Sequence, residues 1–150
     1  MPDRLNEAIT VDTDQNRLDL KTIHEFLTNS YWARGIPIEI VERSIRNSLC
    51  FGLYDGDQQV GFARVISDCA TFAYLADVFV VESHRGRGLG KTLMASILAH
   101  SSLQGLRRWL LATRDAHDLY ARFGFVPLAA PDRFMERHAR DVYAPPGSPS

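Results

Sequence analysis

Val80-Val81-Glu82-Ser83-His84-Arg85-Gly86-Arg87-Gly88-Leu89-Gly90-Lys91-Thr92 carries a β-branched run into glycines and out onto a helical apolar pattern. A strand that meets glycines where a helix begins leaves several backbone N–H groups unpaired and converging, which is the makeup of an anion site. Arg85, Arg87 and Lys91 add three positive charges within seven residues. The helix dipole favours a phosphate at the same end. Tight strand–helix packing would also call for glycines, but it does not call for the charges. Two nucleotide sites are excluded by near misses. A P-loop requires glycine at position 85, where Arg stands, and a dinucleotide fingerprint opening at Gly86 requires glycine at 91, where Lys stands.

Upstream of this turn, residues 71–81 form an apolar, β-branched and aromatic run broken by Asp77, which predicts a central strand. Before it, residues 49–54 and 59–67 alternate with period two on either side of Asp55-Gly56-Asp57, a hairpin signal. Residues 9–13 predict a short first strand. Ile23, Phe26 and Leu27 mark a helix over 20–29, and Ile38, Val41 and Ile45 mark another opened by Pro37. Downstream, Leu89, Leu93, Met94, Ile97 and Leu98 give a helix to about residue 102, followed by a strand over 108–112. Ala116, Leu119, Tyr120 and Phe123 give a short helix closed by Gly124, and a last strand is expected near 134–137. The expected order is β-αα-βββ-α-β-α-β, an α/β (α+β) domain over 1–143 with a flexible Pro/Gly/Ser tail over 144–150.

Composition narrows the function. The 150 residues suit one domain, and 17 Lys+Arg against 18 Asp+Glu give a net charge of −1, so no global positive field draws the chain to nucleic acid or anionic lipid. Neither nucleic acid nor membrane is an expected partner. The opening residues lack the apolar core of a secretory signal, and no apolar run approaches the ~18 residues of a membrane span. The expected location is cytoplasmic, with Cys50 and Cys69 reduced and structural.

Arg85-x-x-Gly88-x-Gly90 after a strand resembles the acyl-CoA pyrophosphate motif of the GNAT superfamily of N-acetyltransferases. Leu119-Tyr120-x-x-Phe123-Gly124-Phe125 resembles the family's later signature, and the element order extends the resemblance over nearly the whole chain. The resemblance implies a mixed, mostly antiparallel sheet flanked by helices, and acetyl-CoA as co-substrate. Gly86, Arg87, Gly88, Leu89, Gly90 and Lys91, with Arg85, would hold the pyrophosphate. Val78, Phe79 and Val80 would pair with the pantetheine arm like an added strand. One departure stands at Thr113, where the family often carries Asn.

Direct acyl transfer needs a neutral amine, an acceptor for its proton and a proton for the departing thiol. It needs no metal. The resemblance makes Tyr120 the proton donor, since a phenol of pKa ~10 is protonated at neutral pH. Asp77 breaks an apolar strand, so it is either the proton acceptor or an ion-pair partner for Arg64; both readings stand open. In the family, the loop bearing Tyr31, Trp32 and Arg34 borders the acceptor cleft. The expected activity is acetyl transfer to the primary amine of a small molecule by direct attack in a ternary complex; the rivals are a protein N-terminal or lysine acceptor, or a non-catalytic acyl-CoA sensor. Exposed sheet edges allow a homodimer.

Overall fold

Alternating apolar residues from Leu49 onward fold as a meander in the computed structural model, which describes residues 6–145. Strands β2 (Leu49–Asp55), β3 (Gln58–Ser67) and β4 (Phe72–Val80) are antiparallel neighbours. Gly56, at φ +60°, supplies the left-handed residue that the β2–β3 turn requires. Strand β1 (Ile9–Asp12) pairs antiparallel with β2, and β5 (Arg108–Leu111) pairs parallel with β4. The sheet order is β1-β2-β3-β4-β5, mixed and mostly antiparallel as expected.

Helices α1 (Leu20–Thr28) and α2 (Ile38–Arg46) cover one face. The side chain of Asp19 caps α1 by accepting from the Thr22 amide. Ile23, Leu27, Val41 and Ile45 pack there against Cys50, Phe62 and Phe79 of the sheet. Helix α3 (Leu89–Ala99) covers the opposite face, where Leu93, Met94 and Ile97 pack against Phe51, Leu53 and Val65. Neighbouring Cys50 and Phe51 serve opposite cores because strand side chains alternate. Each core is fully shut: truncating Phe62, which has no exposed surface, would cost about 3–5 kcal/mol. Among the described residues no helix is long and apolar enough to cross a membrane.

Two expectations fail. The third helix ends at Ala99, where His100 turns extended and its ring accepts from the Ser102 amide to start a separate 3-10 turn. The expected last strand over 134–137 does not form. Pro127 and Pro131 interrupt the approach, Pro131 opens a 3-10 turn, and beyond Phe134, which is itself extended, residues 135–139 are exposed and join no strand. Helix α4 (His117–Ala121) forms between β5 and that segment. The expected tail over 144–150 falls outside the described residues from 146 onward.

The irregularity that shapes the site lies in β4. Arg64 pairs with Ala76 and Phe62 with Phe79, so Asp77 and Val78 together oppose Ala63, forming a bulge. Asp77 takes a left-handed φ of +55° to make it. The extra residue reverses the alternation: Ala73 and Leu75 face the α3 core, yet beyond the bulge Val78 and Val80 do so while Phe79 turns to the other side. Strand β5 follows β4 only from Phe72 to Leu75. Past Leu75 the β4 edge has no strand neighbour on that side among the described residues.

Candidate active site

The free edge of β4 runs directly into the glycine turn. A short 3-10 turn (Glu82–His84) leads to Gly86 at φ +80° and Gly88 at φ +73°, and Gly88 is the N-cap of α3. A Cβ at either position would meet nothing within 4 Å, so glycine is required there by conformation and not by crowding. No side chain caps α3. The amides of Gly86, Gly88, Leu89, Gly90 and Lys91 therefore find no acceptor among the described residues. They line a pocket of about 240 Å³ with Val80, His84, Arg85 and Leu119.

The three cations of this stretch do different things. The Arg85 Nε donates to the Val80 carbonyl at 3.1 Å, which holds its stem along the strand end. Arg87 turns inward: its Nε donates to Asn6 at 3.1 Å and its guanidinium lies 4.0 Å from Asp55. Lys91 is exposed on the first turn of α3. Asp55 also meets His84, with Nε2 and Oδ2 2.9 Å apart, while Ser83 Oγ lies 2.8 Å from the other ring nitrogen. The β2–β3 turn thereby braces the glycine turn from below.

Tyr120 sits on α4 beside this pocket, 8% exposed and edge-on to Phe125. Burial, with the charges of Tyr31 and Asp115 adding to it, pushes its phenol up to about 12. Its hydroxyl has no protein partner among the described residues, and it is not sealed, since the Tyr54 hydroxyl is the single side-chain polar atom there both fully buried and unpartnered. Leu119, the neighbour of Tyr120, lines the pocket. Tyr31 reaches the same junction: its hydroxyl accepts the Arg114 amide at 3.2 Å, and the Arg114 guanidinium lies 3.9 Å from its ring centroid.

Asp77 is held from both sides. Arg64 Nε donates to one carboxylate oxygen at 2.8 Å and Trp32 Nε1 to the other at 2.9 Å. Arg64 also donates to Ser48 at 3.2 Å. Tyr31 packs edge-on against Trp32, and Phe26 stacks on Phe79 at 4.0 Å, so the α1–α2 loop is docked over the bulge by rings and one indole hydrogen bond. Arg34 is exposed on the same loop. Cys50 is buried and its thiol is pushed up to about 12 by desolvation, which suits a structural residue and not a nucleophile.

Residues 46–127, spanning the meander, the turn and α4, match the acetyltransferase (GNAT) domain family. The chain belongs to the GNAT acetyltransferase family. A Xanthomonas campestris pv. campestris crystal structure described as belonging to the GNAT family is 53% identical, with a TM-score of 0.89 over 91% of this chain and 97% of that one. A Gibberella zeae protein, named an acetyltransferase by inference, is 31% identical over 75% of each chain. A GNAT structure from Elizabethkingia anophelis, solved with acetyl-CoA bound, shares the fold at a TM-score of 0.60 over 78% of this chain and 75% of that one, with 11% identity.

The fold of this GNAT chain brings together Tyr120, the glycine turn and the β4 edge, and sets Asp77 and Trp32 against each other. Thr113, at the departure from the family pattern, accepts the Ala116 amide at 3.1 Å and so starts α4. Sequence reasoning missed the braces Asp55 and Asn6. Nothing local marks Asp55 as anything but a turn residue, and Asn6 lies 81 positions from its partner Arg87.

Proposed function

We propose that this chain transfers an acetyl group from acetyl-CoA to a primary amine of a small molecule, by direct attack in a ternary complex. The observation that carries the reading is the edge of β4 past Leu75, which has no strand neighbour among the described residues, leading toward the five amides of the glycine turn that find no acceptor there, with α4, the helix of Tyr120, at the pocket through Leu119. Five orphan amides at a helix N-terminus suit a pyrophosphate, and Arg85 and Lys91 add charge beside them. A strand edge with free groups suits the paired amides of a pantetheine arm, which Val78, Phe79 and Val80 would bind. The acetyl-CoA-bound relative supports the same fold as a host for that ligand.

When bound, acetyl-CoA supplies a thioester whose C–S bond breaks as the amine forms its N–C bond. The chain must then deliver a proton to sulfur. A phenol at about 12 is a weak acid against an ordinary thiol of pKa ~8.5, and complete transfer across that gap would be uphill by roughly 5 kcal/mol. Complete transfer is not required: a hydrogen bond from the phenol to the departing sulfur stabilises the negative charge as it develops. Tyr120 then acts as the hydrogen-bond and proton donor to that sulfur.

Asp77 has both oxygens engaged, which favours anchoring the α1–α2 loop over accepting the amine proton; water then carries that proton away. Tyr31, Trp32 and Arg34 form the acceptor side, an aromatic wall with a cation that suits an amine also bearing a carboxylate. Residues 1–143 act as one domain, in the cytoplasm, where the exposed thiol of Cys69 stays reduced. A free-thiol release assay with acetyl-CoA and a panel of amines tests the reading. Amine-dependent thiol is expected; binding of CoA without any acceptor-dependent thiol would favour a sensor instead.

A further inference from the structure

Strand β5 runs beside β4 only as far as Leu111, opposite Leu75. Past that pair β4 continues to Val80, while the other chain turns through residues 112–116 into α4 and brings Tyr120. Tyr31 reaches this turn from the α1–α2 loop. Its hydroxyl accepts the Arg114 amide at 3.2 Å, and the Arg114 guanidinium lies 3.9 Å from its ring centroid. After burial, the neighbours that act on the Tyr120 phenol are Tyr31 and Asp115. Arg114 and Asp115 therefore stand where the α1–α2 loop meets the helix of the proton donor.

Neither side chain is spent on the fold. Among the described residues the Arg114 guanidinium donates no hydrogen bond, and its carboxylate neighbour there is Asp115, 3.9 Å away and beyond hydrogen-bond reach. Both side chains are more than half exposed. Stacking on Tyr31 holds the guanidinium plane while its edge, which carries the N–H fork, stays open. A fork fixed in this way loses little freedom when it takes a carboxylate through two parallel bonds. Arg34, on the same loop, has neither a ring nor an ion-pair partner to fix it among the described residues. Tyr31 and Trp32, edge-on to each other, are 46% and 41% exposed, which leaves ring surface for an acceptor's side chain.

Adjacent opposite charges decide the class. A plain cation would be repelled by Arg114 and a plain anion by Asp115, whereas a zwitterion with its charges on neighbouring atoms satisfies both. Building on acetyl transfer to a small-molecule amine, we propose that the acceptor is a free α-amino acid, its carboxylate taken by the Arg114 fork, its α-ammonium facing Asp115 and its side chain against Tyr31 and Trp32.

Thiol release with acetyl-CoA, run on the twenty protein amino acids each beside its carboxamide, tests this. The carboxamide keeps the amine and the side chain and loses the carboxylate charge. Its amine also deprotonates more readily, so a preference for the acid does not come from ionisation. The best acid is expected to exceed its carboxamide in kcat/KM by about tenfold or more, as charge-assisted hydrogen bonds at a half-open site provide. In Arg114→Gln, which keeps the backbone amide that Tyr31 accepts, that ratio should fall close to one while the melting temperature holds. Asp115→Asn should raise KM for acid and carboxamide alike, since both carry the ammonium. Calorimetry of the same acids into the chain saturated with CoA reads recognition without turnover. Thiol release that shows no preference for the acid, or a preference that survives Arg114→Gln, overturns the proposal and leaves acetyl transfer standing. So does an unchanged KM in Asp115→Asn. Should no amine release thiol while an acid still binds through Arg114, acetyl transfer falls and the recognition stands; with no binding either, both fall.

Discussion

Replacing Tyr120 by Phe deletes one oxygen and separates chemistry from architecture. That hydroxyl has no hydrogen-bond partner among the described residues, so its removal breaks no hydrogen bond there and leaves no orphaned partner. The ring stays packed against Phe125 in the α3 core. Stability should therefore change by no more than about 0.5 kcal/mol, the range of substitutions that touch no packed or paired feature. Binding of acetyl-CoA should hold too, since the pocket's amides belong to the glycine turn. Turnover, by contrast, loses its donor to the departing sulfur and should fall by ~10²-fold or more, equivalent to ~2.7 kcal/mol of lost transition-state stabilisation. Three measurements on one variant suffice: melting temperature, calorimetric Kd for acetyl-CoA, and kcat by thiol release. An unchanged kcat would reduce Tyr120 to a packing residue. A fall in kcat matched by an equal loss of stability would refute the separation itself.

The glycine turn predicts a contrast. Gly88→Val, forced at φ +73°, should abolish acetyl-CoA binding by calorimetry, whereas Gly90→Ala, whose Cβ would meet Leu119 at an ordinary 3.5 Å, should bind within a few-fold of the parent. Asp77→Asn should lower the melting temperature by breaking the Arg64 ion pair, and its loss of kcat/KM should be the same at every pH. Recovery of activity as the amine deprotonates would make Asp77 the proton acceptor after all. Alkali should destabilise the fold in a defined window. The native values of Cys50 and Tyr120, about 12, lie above their ordinary 9.0 and 10.0, so the folded state holds these protons longer and is fully stable below pH 9.0. Melting temperature should fall as pH climbs from there toward 12, and Cys50→Ala should flatten that slope while lowering stability at neutral pH.

The meander was legible because its signals are local. Period-two alternation in β2 and β3, the Asp55-Gly56-Asp57 turn and the Asp19 cap each act within a few residues. The glycine turn was legible for the same reason. The bulge was not: Asp77 reads as a charge in an apolar strand, and only its register against Ala63 shows that it reverses the faces of β4. Arg87 shows the same limit, since its inward turn depends on Asn6 and Asp55, far off in the chain. The false strand over 134–137 came from weighing residue types while the nearby Pro127 and Pro131 diverted the backbone.

Titrating acetyl-CoA into the uniformly ¹⁵N-labelled chain and following every backbone amide tests the central claim most directly. The largest shifts are expected at Gly86, Gly88, Leu89, Gly90 and Lys91 and along Val78, Phe79 and Val80, with residues 126–134 unmoved. Saturable binding whose shifts cluster elsewhere, or no binding at all, would contradict the assignment of this backbone track as the acyl-CoA site.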